Sequence, residues 1–142
     1  MKNFIYPILV VLFLTAACKK DVIPVNSGIY RGVFLYIDAV AEDTLNEGVC
    51  NLAIFEDNLT FNLQGDTSTG VPKSSYGSYL LHNANSLDED SITFYNNAPI
   101  GEFFYDQNLF LDTTYIYTFN DTVFTLFFET PEKIYQYRLE RK

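Results

Sequence analysis

Thr114-Tyr115-Ile116-Tyr117-Thr118-Phe119-Asn120-Asp121-Thr122-Val123-Phe124-Thr125-Leu126-Phe127-Phe128-Glu129 decides the fold. Tyr115, Tyr117 and Phe119 alternate with Thr114, Ile116 and Thr118. A period of two places one set on a buried face and leaves the other wet, which marks an antiparallel strand. Asn120-Asp121 then breaks the pattern with two residues that tolerate positive φ, the signature of a two-residue hairpin. A second β-rich run, 122–129, follows at once, so the two segments pair as neighbours.

The same reading extends outward in both directions. Thr130-Pro131-Glu132-Lys133 is a turn with Pro at its second position. In 134–141, Tyr135, Tyr137 and Leu139 alternate with Gln136, Arg138 and Glu140, and in 59–64, Leu59, Phe61 and Leu63 alternate with Thr60, Asn62 and Gln64. Further β-rich runs lie at 29–38, 49–56, 76–82 and 91–96, and the strand that ends at Phe119 is expected to start near Asn108, with a short additional piece at 102–105 as an option. A Gly-, Ser- and Thr-rich loop is expected at 65–75 and another long loop at 39–48. Runs 29–38 and 122–129 are apolar on both faces, so part of their outer side is expected to be covered. Aromatic and β-branched residues dominate, and turn residues recur at short intervals with no helical periodicity. The expected fold is all-β, an antiparallel up-and-down eight-stranded barrel, because sequential strands usually pair and closure removes exposed edges. A two-sheet β-sandwich is the alternative.

The N-terminus carries a different signal. Met1-Lys2-Asn3 precedes an apolar run from Phe4 to Leu14, interrupted by Pro7, and Leu14-Thr15-Ala16-Ala17-Cys18 follows. A basic start, a short apolar segment and small residues before a cleavage point make a secretory signal. Eleven residues at about 1.5 Å each cover only half of a hydrocarbon core roughly 30 Å thick, too little for a spanning helix. Small residues ending in Cys resemble a lipobox, at which the bacterial lipoprotein pathway acylates the Cys and cleaves before it; Thr15 stands where that pattern more often has Leu. The expected organisation is a signal peptide over 1–17, a lipid-anchored tether over 18–27 and a barrel domain over 28–142.

Charge and cysteine count narrow the function classes. The chain carries 9 basic and 18 acidic residues, and only Lys2 precedes Cys18, so the mature count is 8 − 18 = −10. An acidic chain without a basic cluster argues against nucleic acid as a partner and against charge-driven binding to an anionic membrane surface. The membrane partner is reached instead through lipid on Cys18, and more than one acyl chain is needed for stable anchoring. Consuming Cys18 leaves Cys50 alone, in the apolar run Val49-Cys50-Asn51-Leu52-Ala53-Ile54-Phe55, where a buried core thiol is expected rather than a reactive one.

Catalytic apparatus is not legible. His82 is the one His and is expected at a solvated strand end. Acidic residues gather as Glu42-Asp43 with Glu47, as Glu56-Asp57 and as Asp88-Glu89-Asp90, none with the alternating spacing of a calcium loop, and they read as solvated turns. No enzymatic activity, metal or cofactor is expected. The unusual load is aromatic, 13 Phe and 11 Tyr without a Trp. Most of it must be core, although an inward Tyr keeps a hydroxyl that needs a partner. On the first strand Tyr30, Phe34 and Tyr36 alternate around Gly32, whose missing side chain is expected to leave room, so these three are the candidate wall of a ligand cavity. The long loops at 39–48 and 65–75 are expected to frame its open end. The competing reading is that they interlock with Phe61, Phe94 and Tyr117 and leave no space.

The signal, the Cys18-Lys19-Lys20-Asp21 start and a β domain opening with Gly28-Ile29-Tyr30 together resemble the small lipocalin-like lipoproteins of Bacteroidota-type bacteria. Lipocalins open with Gly-x-Trp and pack a last-strand Arg over the Trp; here Tyr30 takes that place, and Arg138 or Arg141 would supply the cation. The resemblance implies a barrel in the cell envelope, lipid-anchored to the outer membrane on its periplasmic or surface face, with a small apolar or amphipathic ligand or a partner protein. A sandwich-type accessory module for glycan or protein, or a purely structural envelope protein, are the alternatives. Asp43-Thr44-Leu45 and Asp90-Ser91-Ile92 also resemble the Asp-Ser/Thr-apolar glycosylation motif of such bacteria, the first in an expected loop. Cys18→Ala is expected to abolish palmitate labelling and to leave an unlipidated precursor or a released form on fractionation.

Overall fold

The computed structural model of the chain describes residues 24–82, 89–99 and 106–142. Cys18, the signal, most of the tether, the optional piece at 102–105 and Asp88 lie outside the described residues. Eight strands run β1 (Gly28–Asp38), β2 (Thr44–Phe55), β3 (Thr60–Gln64), β4 (Ser75–His82), β5 (Ser91–Asn96), β6 (Thr114–Phe119), β7 (Val123–Glu129) and β8 (Lys133–Arg141). Each pairs with the next in sequence, and β8 returns to β1, so the sheet closes into an up-and-down antiparallel barrel of the lipocalin-like kind. The sandwich alternative falls with that closure.

Odd-numbered strands run one way and even-numbered strands the other, which defines two ends. One end, here called the mouth, holds the β1–β2, β3–β4, β5–β6 and β7–β8 connections. The other, the base, holds the chain's approach to β1, the β2–β3 and β6–β7 turns and the C-terminus. Tyr30, Phe34, Leu52, Ile54, Leu63, Phe94, Tyr115, Phe124, Tyr135 and Tyr137 are buried inside the barrel. Val25, ahead of β1, also joins this core, and Arg141 bonds the Ser27 carbonyl oxygen at 2.9 Å, so the end of the expected tether packs onto the base.

Several local expectations change. Leu59 is exposed, with φ 52, so it ends a turn instead of starting the inward set of β3. Chain reversal sets its backbone there, and Phe61 and Leu63 carry the core alone. The loop expected at 39–48 is shorter, because β2 begins at Thr44 and pairs with Ile37. Thr44 of the Asp43-Thr44-Leu45 motif is therefore the exposed first residue of a strand. The strand expected from Asn108 begins only at Thr114; a 3₁₀ turn, Gln107–Leu109, precedes it. The β6–β7 hairpin forms where expected but turns one residue later: the Asn120 amide donates to the Val123 carbonyl oxygen, so Asp121-Thr122 are the central residues, and of the expected pair only Asp121, at φ 68, takes a positive φ.

Gly32 does not open a space. A Cβ there would lie 1.8 Å from the Arg138 carbonyl oxygen, so β8's backbone fills the place a side chain would take. Gly32→Ala is expected to cost about 2 kcal/mol or more, at the upper end of overpacking penalties. Tyr137→Ala, which empties a fully buried site, is expected to cost about 3–5 kcal/mol. Leu59→Gly should leave stability unchanged or raise it, since glycine adopts positive φ freely. Denaturant unfolding of the three variants checks the set.

Candidate functional site at the barrel mouth

The β5–β6 connection does more than join two strands. From Asp106 to Leu111 it crosses the end of the barrel like a chord. At one side the Asp106 carboxylate accepts hydrogen bonds from the hydroxyls of Tyr36 on β1, at 3.3 Å, and Tyr135 on β8. At the other, the Leu109 carbonyl oxygen accepts from the Lys73 amide at 2.9 Å, and the Leu111 amide donates to the Ser75 hydroxyl at 3.2 Å. β4, which carries Ser75, stands four strands round the barrel from β8. The Leu109, Phe110 and Leu111 side chains of this cover are buried, and the chain rejoins the sheet where the Thr113 carbonyl oxygen accepts from the Phe94 amide.

The local sequence explains the turn. Asp106 Oδ1 accepts from the Asn108 amide at 3.0 Å, an N-cap for the 3₁₀ turn, while Oδ2 is left for the two tyrosines. Leu109-Phe110-Leu111 reads in sequence as part of a strand, but its apolar side chains close the mouth instead. Burial first, and then Asp106 (through its charge at Tyr36 and its hydrogen bond at Tyr135), push the pKa of both tyrosines up, which keeps both hydroxyls protonated as donors.

Around the cover the mouth is rimmed by pinned loops. Asp38 accepts from Ala41 and Val40 amides and pairs with Lys133 at 2.9 Å; these donors, the Ala41 amide first, hold its carboxyl down to about 2. Asp66 is held at about 2 chiefly by the Ser68 hydroxyl and then by the Val49 amide, which ties the β3–β4 loop to β2. That loop encloses an open depression of about 250 Å³ lined by Asp66, Lys73 and Ser74 among others. Both loops expected to frame an open end thus lie at the mouth.

The three candidate wall residues share the inward face of β1 but not one level. Six residues of strand, about 20 Å, separate Tyr30 from Tyr36. Tyr30 lies at the base, where its hydroxyl donates to the Asn26 carbonyl oxygen at 2.6 Å and its ring packs edge-on against Phe119 and Phe124. Arg141 is its cross-strand partner, so of the two candidate arginines it is the one at this ring. Phe34 is fully buried at mid-barrel, 4.7 Å centroid to centroid from Tyr137. Only Tyr36 reaches the mouth. Phe61 packs on Phe94 and Phe94 on Tyr115, while Tyr117 packs on Phe124, so rings interlock through the barrel.

Other candidate groups are placed plainly. Cys50 is fully buried, and burial pushes its thiol up to about 12. His82 ends β4 with Nε2 2.8 Å from the Thr93 hydroxyl. Asp90 is buried beside β6, where its carbonyl oxygen accepts from the Tyr117 amide. Among the described residues no three His, Cys, Asp or Glu side chains gather as a metal-holding group. Sequence reasoning missed Asp106. Its Asp-x-Asn pattern signals a cap, but its tyrosine partners lie 70 and 29 residues away. No family model, no curated protein and no solved structure matches the chain.

Asp106→Ala removes an ionised acceptor from two hydroxyls and a cap from the turn. It is expected to cost about 1.5–3 kcal/mol, the range for hydrogen bonds to charged groups. Amide exchange at Leu111 and Lys73 should accelerate while exchange in β1 and β8 stays slow, as hydrogen-exchange mass spectrometry or NMR would read.

Proposed function

We propose that the protein is a lipid-anchored barrel of the cell envelope, held at the outer membrane through Cys18, that binds a small apolar or amphipathic molecule through its mouth. The carrying observation is the cover. The mouth is closed by a separable segment held on one side by a single carboxylate and two tyrosine hydroxyls, not by strand pairing. Loops and covers of this kind belong to the low-stability part of a fold, where ligands gain access. An eight-stranded barrel is wide enough to be filled by side chains or to hold one small ligand. The buried side chains Leu109 and Leu111 therefore occupy the space that a ligand would take. The reading is of a binding protein and not an enzyme: the Cys50 thiol is held protonated, and the one histidine bonds a threonine.

A second reading, docking of a partner protein, has its own support. Ile29, Leu45, Val49 and Phe55 are each about half exposed on the outer face of β1 and β2. The chain from Lys19 onward, which keeps every described residue of the barrel, discriminates the two. Titration with the uncharged probe N-phenyl-1-naphthylamine is expected to give saturable fluorescence enhancement near one site per chain. Asp106→Ala should speed probe association severalfold. A folded domain that shows no saturable binding would end the ligand reading in favour of partner docking.

A further inference from the structure

Two hydroxyls inside the barrel have no partner among the described residues beyond each other. Tyr115 on β6 and Tyr137 on β8 are fully buried, each lies close enough to act on the other, and neither makes a well-formed hydrogen bond to any other described group. Their ring centroids lie 5.9 Å apart, edge to face. If the hydroxyls turn toward each other, one donates and one accepts, and a hydrogen still has nowhere to go. Buried polar groups are almost always paired, so each exception asks for an explanation. The fold does not supply one. Phenylalanine would make the same ring contacts with Phe34, Phe94 and Phe128.

The pair lies just below the cover. Tyr115 packs on Phe128 at 5.7 Å, Phe128 on Tyr135 at 5.6 Å, and Tyr135 donates to Asp106. We propose that Tyr115 and Tyr137 form the polar end of a ligand site beneath the 106–111 cover, and that they take the carbonyl or ether oxygen of an uncharged medium-chain amphiphile. This inference rests on the ligand reading and names its ligand class. The hydroxyls donate to the ligand's oxygen, and its apolar body takes the place of Leu109 and Leu111 when the cover lifts. An anionic head group is disfavoured. The charges felt at Tyr115 are those of Asp106 and Asp112, both negative, and the chain as a whole carries −9. A fatty carboxylate would enter against that potential, whereas an ester or ketone oxygen accepts from the tyrosines at no such cost.

The test displaces N-phenyl-1-naphthylamine from the chain starting at Lys19 with methyl octanoate or with octanoate at pH 8. Wild type, Tyr115→Phe, Tyr137→Phe and the double variant are compared. The ester is expected to displace the probe at least tenfold more effectively than the carboxylate. Its inhibition constant should rise about tenfold in the double variant, the loss of one to two neutral hydrogen bonds. Each inhibition constant is corrected for that variant's own probe affinity, and the variants should melt at the same temperature as wild type or higher. Equal displacement in wild type and double variant would overturn the assignment alone, as would preference for the carboxylate. A clear fall in melting temperature in the Phe variants would also overturn it, because the hydroxyls would then be paired within the fold by ordered water. Failure of the folded wild type to bind the probe would overturn the ligand reading and this site together.

Discussion

Everything in the molecule depends on β8 pairing back with β1. Nine register pairs, from Tyr30–Arg141 to Asp38–Lys133, join two strands about a hundred residues apart in the chain. Without them the sheet would expose two long apolar edges, and the inward rings would face water. Closure in turn requires a close backbone approach, and Gly32 is where it happens, with the Arg138 carbonyl oxygen in the position of a side chain. A barrel of this size has a narrow interior. The choice of what fills it therefore settles both stability and what the protein can bind.

Aromatic rings fill it, and they divide the barrel by chemistry. At the base Tyr30, Phe119, Phe124 and Tyr117 pack edge to face, and the Tyr30 hydroxyl is satisfied by backbone. Toward the mouth the hydroxyls accumulate: Tyr36 and Tyr135 on a carboxylate, Tyr115 and Tyr137 with only each other among the described residues. The base is thus a finished apolar core. The mouth is a mixed-polarity layer whose cover rests on one acidic side chain toward β1 and β8 and on Lys73 and Ser75 at the opposite side.

Most of the barrel was legible in the sequence because period two survives wherever one face is wet. Tyr115 and Tyr117, or Tyr135, Tyr137 and Leu139, could be assigned inward without coordinates, and Asn120-Asp121 marked its own turn. What was not legible depends on partners distant in sequence. Leu59 fits the alternation by residue type, yet the turn sets it at positive φ and points it outward. Leu109-Phe110-Leu111 has a strand's composition, and only the barrel's geometry shows that it spans the mouth. Gly32 reads as room because a missing side chain is visible in sequence, while the backbone of β8 that fills the gap is not. Asp106 carries no motif that names Tyr36 or Tyr135.

Chain direction links the proposed anchor to the proposed site. Five residues lie between Cys18 and Pro24, a span of at most about 20 Å when extended. Val25 then packs into the core, Ser27 accepts from the Glu56 amide at 2.7 Å, and Arg141 closes over the same turn. The tether therefore joins at the base. The cover, the pinned Asp38 and Asp66 loops and the Tyr115–Tyr137 pair all lie toward the other end. A lipid on Cys18 would hold the base toward the membrane and turn the mouth away from it, so a ligand would arrive from the aqueous side and not directly from the bilayer. That orientation suits an uncharged amphiphile of modest chain length, which is soluble enough to cross water and apolar enough to displace the cover.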